Sequence, residues 1–596
     1  VDKTVKNLRR KNIASIDIEN IKPDNPEVYK LMQKKLTTGV FQLESSGMKR
    51  YMGQLKPDCF DDIVALVALY RPGPLGTNMV DDFINNKHGK KINYEHKLLE
   101  PILAPTYGLI LYQEQVMEIS RALANYTLGE ADILRRAMGK KKKKEMEDQR
   151  QKFINGAKDN KIALSIAESI FSKMEKFAGY GFNKSHSVAY AYISYQTAYL
   201  KTYFTSEFLA SALSSDMDNT DKVISLINAA KEMGVTVLKP EINTSSYEFT
   251  AIDNNKILFG LGAIKGVGMN AINHLINERE SNGSFHNIFD FCERVSHSIV
   301  NIAAMDALIF SGSCDLFDKS RSMMKKILDK AITYGQKKQI SKTSGQSELF
   351  SDDTSTSVEQ NVSLHEKDDE EKREANLKSL HQEKKVLGLF LSGHPINEFK
   401  DEITSMGLMS INYYLAKLND GISLDYSSQI TIAGVIVQSR SQRVGNDRFI
   451  NILTVDDATD FIEVIIYPDI YEKYKDMIKE NEILFISGLL SLDDYNGSLS
   501  IKATSVVDID FARQNYSKQV ELMITSDNTT DIMLDKLLKV LEPHKNGKCP
   551  LIIKCISNKH IVPLSLNQEW KINLSTLLIN NLSELLGSEN IIIKYQ

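Results

Sequence analysis

The first 250 residues carry the apolar spacing of α-helices. Apolar positions recur three and four residues apart, which places them on one face of each helix. Between Asp61 and Tyr70 they are dense enough to predict an almost wholly buried helix. The Arg-Pro-Gly-Pro sequence at 71–74 ends that helix, because proline lacks the amide hydrogen that a helix interior needs. Residues 1–250 are therefore predicted to form a mostly helical domain.

The pattern changes after residue 250. Short helices joined by glycine-bearing turns are predicted over 251–337. Residues 338–376 are polar, charged and poor in aromatic side chains, so they are predicted to be a flexible linker that cannot bury enough apolar surface to fold alone. A helical connector is predicted over 377–428.

Strand patterns dominate the last third of the chain. Five β-rich runs within 429–512, with a helix at Tyr471–Lys479 between the third and the fourth, predict an OB-fold, a small Greek-key barrel that often binds single strands. Strand and helix patterns alternate over 513–596, which predicts a small α/β domain. The predicted fold class is thus multidomain: mostly α, then an OB-fold β-barrel, then an α/β tail.

Composition narrows the class of protein. Lys+Arg 73 against Asp+Glu 77 gives a net charge of -4, so any nucleic-acid binding must come from local basic patches.

Apolar runs stay well below the roughly 20 residues that a membrane span requires. The five cysteines are scattered and show no CxxC spacing, which favours a reducing, cytoplasmic location. The chain starts with Val1 and without a signal peptide, so we expect a piece of a longer chain or a processed product.

A basic cluster lies at 134–145, LRRAMGKKKKKE. If 130–138 is helical, Arg136 and Lys140 share one face with Arg135 beside them, and the lysine run projects from a loop after Gly139. Arginine forks bind phosphate oxygens bidentately, and lysines act as point charges. The cluster predicts an anion site; the alternative is a solvated charged surface.

A glycine-rich turn precedes Lys184 and His186, in FAGYGFNKSHSVAYAYISYQ at 177–196. A helix is predicted to start near Ser185 or Ser187, and the free amides of its first turn attract anions. The spacing matches neither a Walker nor a Rossmann motif. The alternative is an ordinary turn between packed helices.

A third glycine pattern, at 257–276, predicts a helix-hairpin-helix. Two helical segments would be joined by a turn containing Gly262, Lys265, Gly266 and Gly268, whose backbone amides reach a DNA phosphate without reading sequence. A weaker copy follows at 308–317. A plain helical hairpin is the alternative.

Gln346, Leu349 and Phe350 form a Q-x-x-L-F element inside the predicted linker. A Leu-Phe pair in a charged linker offers apolar surface to a partner's pocket. The element has the form of a peptide that docks on a sliding clamp.

Acidic pairs and histidines are weaker candidates for metal ligands. Asp216 and Asp218 could bind metal, but they stand between two helices where Asp and Ser are common capping residues. His286, Cys292 and His297 lack a zinc-like spacing. Helix capping is therefore the favoured interpretation of the acidic pair, with metal binding as the less favoured alternative.

The motifs together resemble the bacterial replicative DNA polymerase III alpha subunit, a C-family polymerase, from its fingers onward. The resemblance runs in family order over nearly the whole chain. It rests on FQLESSGMK (41–49), PDCFDDIVALVALYRPGPL (57–75), TYGLILYQEQVM (106–117), ADILRRAMGKK (131–141), KFAGYGFNKSHSVAYA (176–191) and LGLFLSGHP (387–395).

This resemblance implies DNA-directed DNA synthesis, in which two Mg²⁺ assist attack of the primer 3′-hydroxyl on a nucleoside triphosphate. It makes 1–250 the fingers, 251–337 the duplex-DNA region and 513–596 the domain that meets the clamp-loader tau subunit. The implied triphosphate contacts are the following residues: Arg71, Arg135, Arg136, Lys140, Lys184 and His186.

One departure from the family pattern matters. The family's PHP domain and the palm with its catalytic aspartates do not occur in this segment, so we expect Mg²⁺ to be bound outside it and the segment alone to be inactive. The implied partners are primer-template DNA, dNTP, the beta sliding clamp, tau, and the epsilon exonuclease through the missing N-terminal domain, with no membrane. The alternatives are a non-catalytic DNA-binding scaffold and an error-prone paralogue.

Overall fold

The computed structural model describes residues 1–595 except 14–15, 141–142, 178–180, 318, 345–368, 420–421, 445–447, 493–497, 526–529 and 558–559. Two compact units are present. The first extends to Asp353 and includes Val386–Gly388, and the second contains the remainder. In the described part of the chain, no helix combines the length and apolar character that a membrane crossing needs.

The first unit is mostly helical, as predicted. Its helices are α1 Asp2–Arg10, α2 Pro26–Gln33, α3 Ser46–Leu55, α4 Phe60–Leu69, α5 Pro72–Leu75, α6 Met79–Lys87, α7 Glu100–Leu103, α8 Gln113–Ala124, α9 Leu128–Lys140, α10 Lys143–Asp159, α11 Leu164–Phe177, α12 Lys184–Tyr203, α13 Thr205–Ser215, α14 Thr220–Glu232, α15 Met269–Asn282, α16 Ile288–Arg294, α17 Ile302–Phe310 and α18 Arg321–Ser344. A small sheet of order β1-β3-β2 is formed by β1 Thr236–Leu238, β2 Thr250–Asp253 and β3 Lys256–Leu258.

Two hydrophobic cores organise the region before residue 200. The first surrounds α4, whose apolar residues are buried as the sequence predicts, with Arg71 next after Tyr70 at the start of α5. The second lies between α8, α9, α10 and α11. The two cores hold α8 and α12 at the positions where the candidate site forms.

The elements after residue 368 are as follows: α19 Asp369–Leu387, α20 Lys400–Ser405, α21 Ile411–Asn419, β4 Gln429–Val444, β5 Arg448–Asp456, β6 Phe461–Ile466, α22 Pro468–Tyr474, β7 Ile483–Leu492, β8 Leu499–Val507, α23 Ile509–Tyr516, β9 Ser517–Thr525, α24 Asp531–Leu541, β10 Leu551–Ser557, β11 His560–Ser565, α25 Thr576–Leu586 and β12 Ile591–Tyr595.

Strands β4 to β8 close into a barrel of order β4-β5-β6-β8-β7, with β6 and β8 parallel and the other pairs antiparallel. This confirms the predicted OB-fold. The intervening helix starts earlier than expected, at Pro468 rather than Tyr471, and ends at Tyr474. Proline is favoured at a first helical position because its amide would be unpaired there in any case.

The tail forms a four-stranded sheet of order β11-β10-β9-β12, in which only β9 and β10 run parallel. Helices α24 and α25 contribute Leu537, Leu541, Leu578 and Leu582 to its core. Gly587, at φ 87°, ends α25 as predicted, because glycine tolerates a left-handed backbone. The α/β prediction for this region is confirmed.

Helix occupies both ends of the segment predicted to be a linker. Helix α18 continues to Ser344, and α19 begins at Asp369. Charged residues such as Glu, Lys and Arg have good helix propensity, so a polar composition alone does not exclude a helix. The predicted clamp-binding residues Gln346, Leu349 and Phe350 lie outside the described residues.

A buried lysine makes the stability of the first unit depend on pH. Lys201 of α12 is 1% exposed and donates from Nζ to the Thr38 carbonyl at 2.7 Å. Burial, followed by the nearby Lys49 charge, lowers the pKa of Lys201 to about 7. An unfolded lysine titrates near pH 10.4, so between these values the unfolded state binds more protons and stability rises with pH.

We therefore expect Lys201→Met to remove a rise in unfolding free energy of about 1 kcal/mol per pH unit between pH 7.5 and 9.5. Urea unfolding, followed by circular dichroism of the helical signal, measures this slope at each pH. Lys222→Met is the control, because Lys222 is exposed and paired with Glu44 at 2.6 Å. An unchanged slope in Lys201→Met would show that Lys201 is charged in the folded protein.

Candidate functional site

A short backbone bridge joins the start of α8 to the segment before α12. Tyr112 and Phe182 pair in parallel, and the Gln113 amide donates to the Phe182 carbonyl at 2.9 Å. The Gln113 side chain also donates from Nε2 to the Gly181 carbonyl at 3.3 Å. We call the surface formed by Arg71, Tyr112, Gln113, Arg135, Gly181, Phe182, Lys184 and His186 the bridge site.

Two arginines, Arg71 immediately before α5 and Arg135 from α9, contact residues of the bridge site. The Arg71 guanidinium carbon lies 4.0 Å from the centre of the Phe182 ring, a cation–π contact, and Arg71 Nε donates to the Ala68 carbonyl at 2.7 Å. Burial lowers the pKa of Arg71. Arg135 of α9 donates from Nη1 to Gln113 Oε1 at 3.2 Å. The Gln113 amide group thus connects Arg135 to the bridge backbone.

Arg136 is the more exposed of the two neighbouring arginines of α9. Its side chain is 67% exposed, against 32% for Arg135, and both arginines pair with Asp132 at 2.8 Å. Lys140 ends α9, and the next described residue, Lys143, begins α10. The prediction of a helix end at Gly139 is therefore wrong. Lysine is a good helix former, and one glycine costs a helix only about 1 kcal/mol.

The first turn of α12 is already occupied by side chains of this chain. The helix begins at Lys184, and Asn183 caps it by accepting from the His186 amide at 2.9 Å. Glu114 of α8 accepts from the Lys184 amide at 3.0 Å and from Asn183 Nδ2 at 2.8 Å. The expectation of free amides at this turn is therefore wrong for Lys184 and His186, because a carboxylate and an amide oxygen occupy them.

The side chains of this turn complete the site. The Lys184 ammonium lies 5.6 Å from the Tyr112 ring centre. The His186 ring lies 5.3 Å from Phe182, edge to face, and 4.4 Å from Tyr190. Arg71, Arg135 and Lys184, which are far apart in sequence, thus surround one backbone bridge. Carboxylates also lie nearby, Asp132 and Glu114 among them, and an incoming anion would have to compete with them.

The region around Gly266 differs from the predicted helical hairpin. Residues 256–258 form β3 and 261–263 a single 3-10 turn, so the first of the two predicted helical segments is absent from 257–263. A Cβ on Gly262 would lie 2.8 Å from the Tyr247 carbonyl, and this close approach requires glycine. The apolar residues at 257–261 had suggested a helix, but pairing with β1 and β2 takes them into the sheet.

The turn that follows has the exposed backbone that phosphate contact needs. Gly266 adopts φ +89°, and Gly268 caps α15 without any side-chain hydrogen bond. The turn is exposed at Lys265, Gly266 and Gly268. The Lys265 amide donates a hydrogen bond to the Val386 carbonyl at 2.9 Å. A helix start without a side-chain cap offers amide hydrogens to an anion.

The described residues include one cluster of three potential metal ligands, Asp58, Cys59 and Asp62. Cysteine sulfur is a soft ligand that suits Mg²⁺ poorly, and the Lys87 ammonium already pairs with both carboxylates. Asp216 follows the end of α13, and Asn219 rather than an aspartate caps α14.

Comparison with protein families matches four parts of the chain. The bacterial DNA polymerase III alpha subunit finger domain matches residues 1–161, and a helix-hairpin-helix motif matches 234–324. An OB-fold nucleic acid binding domain matches 430–509, and the DNA polymerase III subunit alpha C-terminal domain matches 536–587.

Curated relatives match over almost the full chain. DNA polymerase III subunit alpha of Buchnera aphidicola from Acyrthosiphon pisum is 41% identical over 99% of this chain and 50% of the relative. The subunits of Vibrio cholerae and Escherichia coli K12 are each 39% identical, over 99% and 97% of this chain and 50% of each relative. The chain belongs to the bacterial DNA polymerase III alpha subunit family. It spans about half the length of these curated relatives.

Sequence reasoning missed several residues that build the site. Gln113 and Phe182 hold the bridge, Glu114 occupies the α12 turn, and Asp132 pairs with both arginines. The Asp132 pairs were detectable, because residues three and four apart share a helix face. The other three depend on a contact between residues about 70 positions apart, which no local pattern records.

Proposed function

We propose that this chain is part of a replicative DNA-directed DNA polymerase and that its bridge site binds the triphosphate of the incoming dNTP. The observation that supports this most is the convergence of Arg71, Arg135 and Lys184 on the Tyr112–Phe182 bridge. Three cations can neutralise much of the charge of a triphosphate, and the arginine forks fit its oxygens.

We further propose that the exposed turn at 265–268 contacts the phosphate backbone of the primer-template duplex. The uncapped start of α15 and the Lys265 side chain supply sequence-independent contacts, as a polymerase requires. The OB barrel is proposed to lie near the single-stranded template. Its surface includes the exposed residues Arg440, Phe449 and Tyr467.

The remaining assignments follow from the family resemblance. Gln346, Leu349 and Phe350 are proposed to bind the beta clamp, and 513–596 the tau subunit. Binding of Mg²⁺ by palm aspartates, and contact with the epsilon exonuclease, are proposed to lie outside this segment. On this proposal the segment alone binds primed DNA and triphosphate but adds no nucleotides.

The test is primer extension on a primed template with Mg²⁺ and four dNTPs, with primed-DNA binding measured in parallel. We expect binding without extension by this chain, and extension once the upstream domains of the family are joined to it. Extension by this chain alone would refute the assignment of the metal ligands. Binding without extension by the joined protein would favour a non-catalytic scaffold.

Lys265→Ala is expected to weaken duplex-DNA binding evenly across sequences. Removing one phosphate contact should reduce the slope of log affinity against log salt concentration by about 1. Fluorescence anisotropy at several salt concentrations measures the slope. Lys256→Ala is the matched control, since Lys256 is an exposed lysine of the preceding strand that faces Asp253 at 3.9 Å. An equal decrease of the slope in both variants would mean that Lys265 contributes only general positive charge to DNA binding and no specific phosphate contact.

A further inference from the structure

A cavity of about 370 Å³ lies in the first unit beside α11. Its wall is apolar where Leu103, Ile119, Ile170 and Phe177 line it, and all four are buried. Its rim carries Glu95 and Lys173, whose charged groups pair at 2.8 Å. Asp82 and Lys176 also line it, so the cavity combines an apolar wall with charged groups of both signs. A cavity of this size can hold a small molecule.

Glu95 leaves one hydrogen-bonding position unused at this cavity. Its Oε1 accepts from Ser169 at 2.7 Å and from Lys173. Its Oε2 is shielded from water and has no hydrogen-bond partner among the described residues. A buried carboxylate oxygen without a donor is unfavourable, so a donor brought by a ligand would be stabilised once the carboxylate turns toward it.

The cavity is adjacent to the backbone of the bridge site. Phe177 is the last residue of α11, and the Gly181 amide donates to its carbonyl at 2.9 Å. A Cβ on Gly181 would lie 2.6 Å from the Phe177 ring, so ring and glycine are in close contact. Movement of the Phe177 ring would therefore displace Gly181, whose carbonyl accepts from Gln113.

We propose that this cavity binds a compact aromatic molecule bearing a hydrogen-bond donor, and that its occupant loosens the bridge through Phe177. The aromatic body packs on Ile119 and Ile170, and the donor reaches Glu95. A cationic donor is favoured over a neutral one, because it meets the Glu95 carboxylate, whose Oε2 lacks a donor, while the Lys173 charge is already paired with Oε1. Weaker triphosphate binding is the consequence expected if the proposed function holds, whereas ligand binding itself does not depend on it.

Ligand binding is tested on the full 596-residue chain by NMR titration with three probes that share one aromatic body. These are 2-phenylethylamine, 2-phenylethanol and 3-phenylpropionate. We expect the amine to bind at least threefold more tightly than the carboxylate, and Glu95→Gln to abolish that preference. Preference for 3-phenylpropionate, or no saturable binding of any probe, would overturn the proposal.

Cavity-filling variants locate the site. Ile170→Trp, and the milder Leu109→Phe at a half-buried lining position, should each weaken amine binding at least tenfold. Leu164→Trp is the matched control, because Leu164 is 60% exposed on the same helix and does not line the cavity. Equal binding by Leu164→Trp and Leu109→Phe would place the ligand elsewhere.

Hydrogen exchange tests the coupling separately. Saturating amine should speed exchange of the Gln113 and Gly181 amides at least threefold in the wild type but not in Leu109→Phe. Tight binding with unchanged exchange at both amides would refute the coupling. If adding the amine lowered triphosphate affinity although no amine bound in the cavity, the cavity would not be the cause of the loss. The assignment of the bridge site as the triphosphate site would be unaffected by that result.

Discussion

Asp62→Ala is expected to lower the unfolding free energy of the first unit by about 3–5 kcal/mol. Asp62 lies in α4 and is 1% exposed, and its carboxylate accepts from the Asp58 amide at 3.1 Å and the Tyr107 hydroxyl at 3.2 Å. The Lys87 ammonium pairs with it, and the Lys87 side chain is only 8% exposed. Removal of Asp62 leaves that buried charge without its main partner.

The pKa of Lys87 points to the same dependence. Burial alone lowers this pKa, but the hydrogen bonds that Lys87 donates to Asp62 and Asp58, together with their charges, outweigh burial, and the net shift is upward. Asp58 lies 3.0 Å from Lys87, but its side chain is 69% exposed, so we expect it to replace little of the lost interaction. The exposed Asp58 therefore cannot compensate for Asp62.

A double variant separates charge from packing. Asp62→Leu with Lys87→Met replaces the ion pair by apolar groups, and it should recover at least half of the loss, since buried pairs are often replaceable in this way. Urea unfolding followed by circular dichroism gives each free energy. A loss below about 1 kcal/mol in Asp62→Ala would mean that Lys87 finds water or another partner.

Local patterns predicted most of the fold. The five barrel strands and the tail strands showed β-rich runs bounded by turn residues, and the α4 segment was dense enough in apolar residues to indicate burial. The errors occurred where tertiary contacts override local preference. Residues 256–258 joined a sheet because strands β1 and β2 were available, and the Lys140 region remained helical through Gly139.

The candidate site was predicted only in part for the same reason. Residue types suited to phosphate were recognisable as a basic cluster and a glycine turn. The predicted cations lie close together only because Tyr112 pairs with Phe182. Glu114 occupies an amide of the first α12 turn only because α8 contacts the start of α12. The sequence therefore identified the cationic residues, and the structure distinguishes Arg135, which bonds Gln113 of the bridge site, from the more exposed Arg136, which pairs with Asp132.

That distinction leads to the last prediction. Arg135→Ala should weaken triphosphate binding about 100-fold, because a charge-assisted bidentate contact contributes up to about 3 kcal/mol. Arg136→Ala, the matched control one residue away, should change affinity less than fivefold. Both variants lose one positive charge near Asp132, so their difference isolates geometry from net charge.

Arg135→Lys completes the series. Lysine restores the charge but not the fork that bonds Gln113 Oε1 and a phosphate together, so we expect it to recover less than a third of the lost binding free energy. Equilibrium titration with a fluorescent dNTP analogue gives the affinities. Equal losses in the two alanine variants, or full rescue by lysine, would mean that the cluster acts as diffuse charge. The triphosphate would then have to be held by Arg71 and Lys184 at the other side of the bridge.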